Sequence, residues 1–384
     1  MHDYAKVNNL DVKDNEQYMM LYRRWNNRDN SAFRYCDGVI LDKETQQVVC
    51  PGLNKMAEMC GANRQRNIKV LEDHQFFQDV SFDMLKQYSL HDGTLIRLFH
   101  HNGQWRKATN RAIDAYQASW GNVSSFGKLF DEVAEETNLD YDKLNKDYCY
   151  MIIVQHPNNR IIQPVEKSAL IHIGTIDIKT NQEIEHDIGL ANNNKFNFQS
   201  IQELVQYFDK PECTWTFPGF ILVNNRNERI RIENPKYMEV KQLKGILRKE
   251  TKRWRVREGV DPHMIRMVYL MRDHKDAEYI RYFPENAEFI YKLHDDLNKL
   301  RDDIWEVYEQ RYILRNFDFP QDQRLSLFIR AVHGIYRNSQ EPITIGIVEQ
   351  NVRAVAPMDT LMHALGYIDY IQTKEEYFRA QQNI

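Results

Sequence analysis

Apolar residues in the first 240 positions fall in short runs rich in β-branched and aromatic side chains, each run bounded by Gly, Asn or Pro. That texture predicts strands at 39–41, 48–50, 95–99, 149–154, 170–173, 220–223 and 230–232. Between them the apolar spacing lengthens to three and four, which predicts helices at 110–117, 126–136 and 201–208. The two element types alternate without the regular strand–helix–strand spacing of a doubly wound sheet. The expected class is therefore α+β with antiparallel sheets. Asn192-Asn193-Asn194 reads as a solvated loop, and no internal repeat is found.

From about Met238 the pattern turns helical. Pro284-Glu285-Asn286 reads as a helix start. After it Phe289, Leu293, Leu297, Leu300, Ile304, Val307 and Tyr308 recur at three- and four-residue steps, one apolar stripe that reads as core or helix–helix contact. Further helices are expected at 323–336 and 355–366. The chain is read as a mixed domain over 1–240 and an all-helical domain over 241–384, and 384 residues exceed the reach of one typical core.

Composition narrows the function. With 42% hydrophobic and 12% aromatic residues the chain can bury a sizeable interior. A net charge of −4 argues against a globally basic nucleic-acid coat but allows local segregation. Such a segment is 241–257, where Lys241, Lys244, Arg248, Lys249, Lys252, Arg253, Arg255 and Arg257 face one acidic residue, Glu250. A charge run is ordinarily a solvated helix face. Trp254, set between Arg253 and Arg255, adds the basic and aromatic interleaving that suits single-stranded RNA.

Five cysteines (Cys36, Cys50, Cys60, Cys149 and Cys213), without paired spacing, suggest neither zinc nor a disulfide framework, which fits a reducing compartment. Cys36 and Cys149 lie in apolar runs and read as inert buried thiols. His100, His101, His156, His172 and His186 lack a carboxylate or cysteine at ligand spacing, so they read as structural and no metal site is expected. Phosphate-loop and Rossmann signatures are absent. No apolar run approaches the ~20 residues of a bilayer helix, and Met1-His2-Asp3 is no signal peptide. The expectation is a cytoplasmic protein with no membrane contact.

The most informative stretch is Ser89-Leu90-His91-Asp92-Gly93-Thr94-Leu95-Ile96. Alone, Asp-Gly between apolar runs reads as a hairpin turn. The stretch also resembles the Lys-x-Asp-Gly motif of ATP-dependent RNA and DNA ligases and mRNA capping enzymes, with Leu90 in the lysine slot. Residues 81–120 are similar to RNA ligases of the phage tRNA-repair type, the RNA ligase 1 family, which recurs in large DNA viruses. The shared order runs through Leu95-Ile96-Arg97-Leu98-Phe99, Trp105-Arg106-Lys107-Ala108-Thr109 and Ile113-Asp114-Ala115. It continues through Gln155-His156-Pro157-Asn158-Asn159-Arg160-Ile161-Ile162, His172-Ile173-Gly174-Thr175 and Gly219-Phe220-Ile221-Leu222-Val223. It ends at Arg229-Ile230-Arg231-Ile232-Glu233-Asn234-Pro235-Lys236-Tyr237, so the resemblance spans roughly residues 20–240.

The resemblance implies a nucleotidyltransferase fold, and in that family the motif lysine attacks the α-phosphate of ATP and carries AMP. Asp92 and Gly93 match. The other functional slots depart from the pattern. The lysine slot is Leu90, which has no lone pair to offer phosphorus. The ribose-contacting glutamate slot is Ile153, the metal-holding glutamate slot is Pro218, and the two triphosphate lysines become Arg231 and Glu233. Near the start, an arginine-before-glycine and an Arg-Pro-Phe become Cys36-Asp37-Gly38 and Pro51-Gly52-Leu53. Apart from Arg231, which stays positive, the charges that would hold Mg-ATP are thus neutral or reversed. Lys86, four residues before Leu90, would stand ~13 Å away on an extended strand, whereas attack needs ~3–3.5 Å. Lys107, on the partner strand, would be nearer.

The sequence therefore leads to an RNA-ligase-like protein that has lost self-adenylylation and keeps an RNA-binding role, for tRNA or single-stranded RNA, or a protein-binding one. Two other classes stay open. One is an active ligase using ATP, Mg²⁺ and a displaced lysine. The other is a structural or assembly protein of a virion that reuses the scaffold.

Overall fold

The computed structural model describes residues 2–7, 10–23, 37–53, 56–58, 74–77, 80–119, 124–226, 228–245, 254–319 and 322–369. The chain divides into two compact units, Met1–Lys241 and Gln242–Ile384. The class is α+β: antiparallel sheets dominate the first unit and helices the second.

After the short helix α1 (His2–Val7), the first sheet is an antiparallel meander of β1 (Leu10–Asp14), β2 (Tyr18–Arg23), β3 (Val39–Asp42) and β4 (Val48–Cys50). The third sheet takes β5 (Met56–Glu58), β6 (Lys86–Ser89), β13 (Lys195–Phe196), β14 (Gly219–Val223) and β15 (Arg229–Glu233), in the order β13-β6-β14-β15-β5. The second sheet takes β7 (Thr94–His101), β8 (Gln104–Ala108), β9 (Tyr148–Gln155), β10 (Ala169–Asp177) and β11 (Glu183–Ile184), in the order β11-β10-β9-β7-β8. Two pairings are parallel, β12 (Ala191–Asn192) on β10 and β5 on β15.

Each face is covered according to its side-chain period. In helix α2 (Phe126–Glu136), Phe126, Leu129, Phe130, Val133 and Ala134 share one stripe, and Ser125 caps the start by accepting from the Lys128 amide. That stripe packs on Ile96, Leu98, Tyr150, Ile152 and Val154 of the second sheet. Burying one such side chain contributes about 1.5–3 kcal/mol. Helix α3 (Ile201–Tyr207) sends Ile201 and Leu204 to the third sheet, where Phe220, Leu222, Ile230 and Ile232 face the same core. By alternation, Gly219, Ile221, Arg231 and Glu233 then occupy the opposite face. A third core joins Tyr18, Met20, Ile40 and Cys50 to Phe99, Ala108 and Cys149.

Several expectations from the sequence change. Asp92-Gly93 makes no hairpin, because β6 pairs with β13 and β14 while β7 pairs with β8 and β9 in another sheet. Residues 110–117 form no helix beyond a 3₁₀ turn at Ala115–Gln117, since the Thr109 carbonyl is taken by Arg97 Nη2 and its amide by Ala112. Asn192 is not free loop but pairs with His172, and Asn193 bonds His91.

In the second unit, α4 (Pro235–Lys244) reaches its start. Helices α5 (His263–Arg272), α6 (Asp276–Tyr282), α7 (Ala287–Tyr308), α8 (Ser326–Ser339), α9 (Ile345–Gln350) and α10 (Met358–Ala364) follow. The α7 stripe is buried from Ile290 through Tyr308, while Phe289 is half-buried and stacks on His263. The helix expected at 355–366 starts only at Met358, because Ala356 precedes Pro357 and is held extended.

Candidate functional site

The site is built where β6 ends and the chain crosses to β7. The Leu90 amide donates to the Gly219 carbonyl at 2.8 Å, which seats the lysine-slot residue beside the start of β14. Two residues on, the Asp92 carboxylate is buried and fully engaged. Its Oδ2 accepts from the amides of Ile162 at 2.8 Å and Gln163 at 2.7 Å, and its Oδ1 from the Tyr237 hydroxyl at 3.1 Å. The Asp92 carbonyl accepts from Gln155 Nε2. Burial, and then the Asp92 charge, push the Tyr237 phenol well above its ordinary pKa. Asp92 therefore acts as an anchor for three segments.

Gly93 follows because nothing larger fits. A Cβ there would lie 2.5 Å from Ile153 Cγ2 and 2.8 Å from the Val154 carbonyl oxygen. Ile153, in the ribose-glutamate slot, sits between Leu95 and Ile171 on the face of the second sheet away from α2. Gly219 is tighter still: a Cβ would meet the Ile232 carbonyl oxygen at 2.2 Å and Glu233 Cα at 2.9 Å.

Glu233, in one of the triphosphate-lysine slots, is 1% exposed. Its Oε1 accepts from Lys241 Nζ at 2.9 Å, with Arg231 Nη2 at 3.7 Å. Its Oε2 is buried with no hydrogen-bond partner among the described residues. Lys107 pairs with Leu98 on the α2-covered face, bonds Asp131 at 2.7 Å and lies over the Phe130 ring. Burial would lower its pKa, but the hydrogen bonds it donates to Asp131 and Tyr116 outweigh that and raise it. Lys86 is exposed at the far end of β6, opposite Val223.

Leu90 and Pro218 line a cavity of about 370 Å³ together with Ser89, His91, Gln155 and Gln163. Asn194, Thr216 and the rings of Phe196, Tyr207 and Phe217 complete it. No Lys, Arg, Asp or Glu is among these lining residues. Burial depresses the His91 pKa, and its Nε2 is held by Asn193 at 2.9 Å. Among the described residues no cluster of three His, Cys, Asp or Glu side chains is placed to hold a metal ion. Nor is any helix long and apolar enough to cross a membrane.

The basic segment is only partly described: Arg248, Lys249, Lys252 and Arg253 lie outside the described residues, as do Cys36 and Cys60. Lys241 is paired with Glu233, and Lys244 lies over the Phe283 ring. Arg255 and Arg257 both reach Asp369. Trp254 is half-buried, its indole donating to the Tyr269 hydroxyl at 3.3 Å.

Sequence reasoning missed Tyr237 as a partner of Asp92 and overlooked Arg97. Arg97 is fully buried and donates to the carbonyls of Pro51 at 2.9 Å and Thr109 at 2.7 Å. A Cβ on Gly38 would lie 3.1 Å from it. An arginine inside an apolar run was the available signal.

No protein-family profile matches the chain. A protein of Invertebrate iridescent virus 6 named "Immediate-early protein ICP-46 homolog" is 24% identical over 275 residues, covering 65% of this chain and 58% of that protein. A protein of African swine fever virus (isolate Tick/Malawi/Lil 20-1/1983) named "Putative RNA-ligase" is 25% identical over 167 residues, 38% of this chain and 34% of that one. The chain thus matches 58% or less of the length of these viral relatives. Among solved structures, an archaeal ATP-dependent RNA ligase aligns over 79% of this chain and 80% of its own, at 11% identity and a TM-score of 0.45. With the motif strands in order and these viral relatives, the chain is RNA-ligase-like.

Proposed function

We propose that this is a catalytically degenerate RNA-ligase-like protein that no longer adenylylates itself and works by binding RNA or a partner. One observation supports the reading: Leu90 and Pro218 line a cavity without a charged wall, and Glu233, matched by the resemblance to a triphosphate-binding lysine, is a buried carboxylate. Phosphoryl transfer depends on positive charge placed where negative charge develops. Here Arg231 and Lys241 are both drawn to Glu233. The residues present do not fit a magnesium-bound triphosphate. An active ligase would need a displaced lysine, and Lys107 is held by Asp131 while Lys86 lies four positions from Leu90.

RNA as the ligand is supported by the name of the swine fever virus relative and by the 241–257 composition. Because its described cations have partners, RNA contact in that segment falls to Arg248, Lys249, Lys252 and Arg253. The test is intact-mass spectrometry after incubation with ATP and Mg²⁺. The expected result is no AMP adduct, with Leu90→Lys alone still giving none, since Ile153, Pro218 and Glu233 remain. An AMP-sized increase on any lysine of the wild-type protein would overturn the reading.

A further inference from the structure

The second unit carries a column of rings that runs from its core to its surface. Helix α7 continues into a π-helical turn at Glu309–Ile313, which brings Tyr308 and Tyr312 against His333 and Tyr336 of α8. Successive centroids are 5.1 Å apart for Tyr308–Tyr312, 4.1 Å for Tyr312–His333 and 5.8 Å for His333–Tyr336. Interplanar angles are 27°, 23° and 29°, so the rings lie nearly parallel. Tyr308 is buried, whereas Tyr312 is 40% and Tyr336 39% exposed, and Phe317 nearby in sequence is 65% exposed. The column thus leaves its two outer tyrosines partly open to solvent.

Apart from Glu309 in the same π-helical turn, the charge on the two segments that carry the outer rings is one-signed. Residues 311–317 and α8, Ser326–Ser339, contain no Asp or Glu, although the whole chain has 55 acidic against 51 basic residues. Arg315, Arg330 and Arg337 are exposed, and among the described residues their side chains make no ion pair or hydrogen bond. Arg330, His333 and Arg337 follow at three and four positions on one helix face, so the two arginines flank the stacked histidine about 10 Å apart along the axis. Exposed rings beside uncommitted cations are the two halves of a single-strand site. Bases stack on the rings and phosphates meet the arginines.

We propose that Tyr312, Tyr336, Arg315, Arg330 and Arg337 form a platform for single-stranded nucleic acid, RNA in the present reading. The proposal rests on that reading and gives the strand a place separate from the 241–257 segment. The test is fluorescence anisotropy of the full-length protein with labelled oligo(U) and oligo(dT) of about 12 nucleotides at about 50 mM salt and above. Tyr312→Ala and Tyr336→Ala should each weaken binding roughly tenfold through lost stacking. Tyr312→Phe and Tyr336→Phe keep the ring and should stay near wild type. Arg330→Gln with Arg337→Gln should flatten the log–log salt dependence by roughly 1.4. Equal binding of both oligomers supports a single-strand platform, and a preference for oligo(U) supports RNA as its ligand. Wild-type affinity and slope in all these variants would overturn the platform while leaving RNA binding elsewhere in place. No binding of either oligomer by the wild-type protein would overturn both. Loss of a concentration-dependent dimer in the Ala variants, with binding unchanged, would assign the surface to a second copy and overturn the proposal.

Discussion

The Tyr237 hydroxyl donates to Asp92 Oδ1 across 145 positions of sequence. Together with the Ile162 and Gln163 amides on Oδ2, it makes the carboxylate a tie between the β6–β7 crossing, the segment after β9 and the start of α4. Tyr237→Phe should cost about 1–2 kcal/mol, and Asp92→Asn about 2–3 kcal/mol, because it removes charge from three hydrogen bonds at once. The double variant should cost less than the sum. Urea denaturation measures all three, and additive losses would show the two residues acting independently.

The same contact has a pH consequence. The folded Tyr237 pKa is raised, by burial first and by Asp92 second, while a tyrosine in the unfolded chain titrates near about 10. Its stabilising contribution is therefore complete below that value and declines as pH rises beyond it, because only the unfolded state releases the proton. Melting temperature should fall between about pH 9 and 11. Tyr237→Phe should fall less steeply, by up to about 1.4 kcal/mol per pH unit. Parallel curves would refute the assignment.

Glu233 is buried and Lys241 is partly exposed, so the two ends of their ion pair should respond unequally. Lys241→Met leaves a buried carboxylate with only Arg231 at 3.7 Å and should cost about 3 kcal/mol. Glu233→Gln removes the buried charge and lets Lys241 turn to water, at about 1 kcal/mol or less. Equal losses would mean that the carboxylate is not carried at an electrostatic cost.

Three glycines separate crowding from backbone strain. Gly219→Ala drives a Cβ into backbone atoms of β15 and should cost about 3 kcal/mol or more. Gly93→Ala meets Ile153, which can shift, but also the fixed Val154 carbonyl, and should fall between the extremes. Gly103→Ala has open space at φ +76° and pays only for the left-handed backbone, about 1 kcal/mol. A different order in thermal melts would contradict the packing described around β14.

Trp254 should behave as a packing residue. With its indole on Tyr269 and Arg255 and Arg257 drawn to Asp369, Trp254→Ala should cost about 2 kcal/mol. Affinity for single-stranded RNA should stay within about twofold, below the ~1–3 kcal/mol of a lost base stack. Unchanged stability with weakened binding would return Trp254 to the nucleic-acid surface.

What the sequence determined by itself was local and periodic. Phe220 and Leu222, like Ile230 and Ile232, alternate because a strand with one buried face must, and Phe126 to Ala134 repeat at helical spacing because one stripe meets a sheet. Leu90, Ile153, Pro218 and Glu233 could be set against the ligase motif from the sequence alone, since each such comparison needs one letter. Only the tertiary structure decided where those letters meet. The partners of Asp92 come from 70, 71 and 145 positions away, and a buried carboxylate recruits whatever donors the fold brings to it. Asp92-Gly93 looked like a hairpin because turn propensity is local. It became a crossing between sheets because strand pairing is not, and the same non-local pull took the Thr109 carbonyl from a helix and gave it to Arg97.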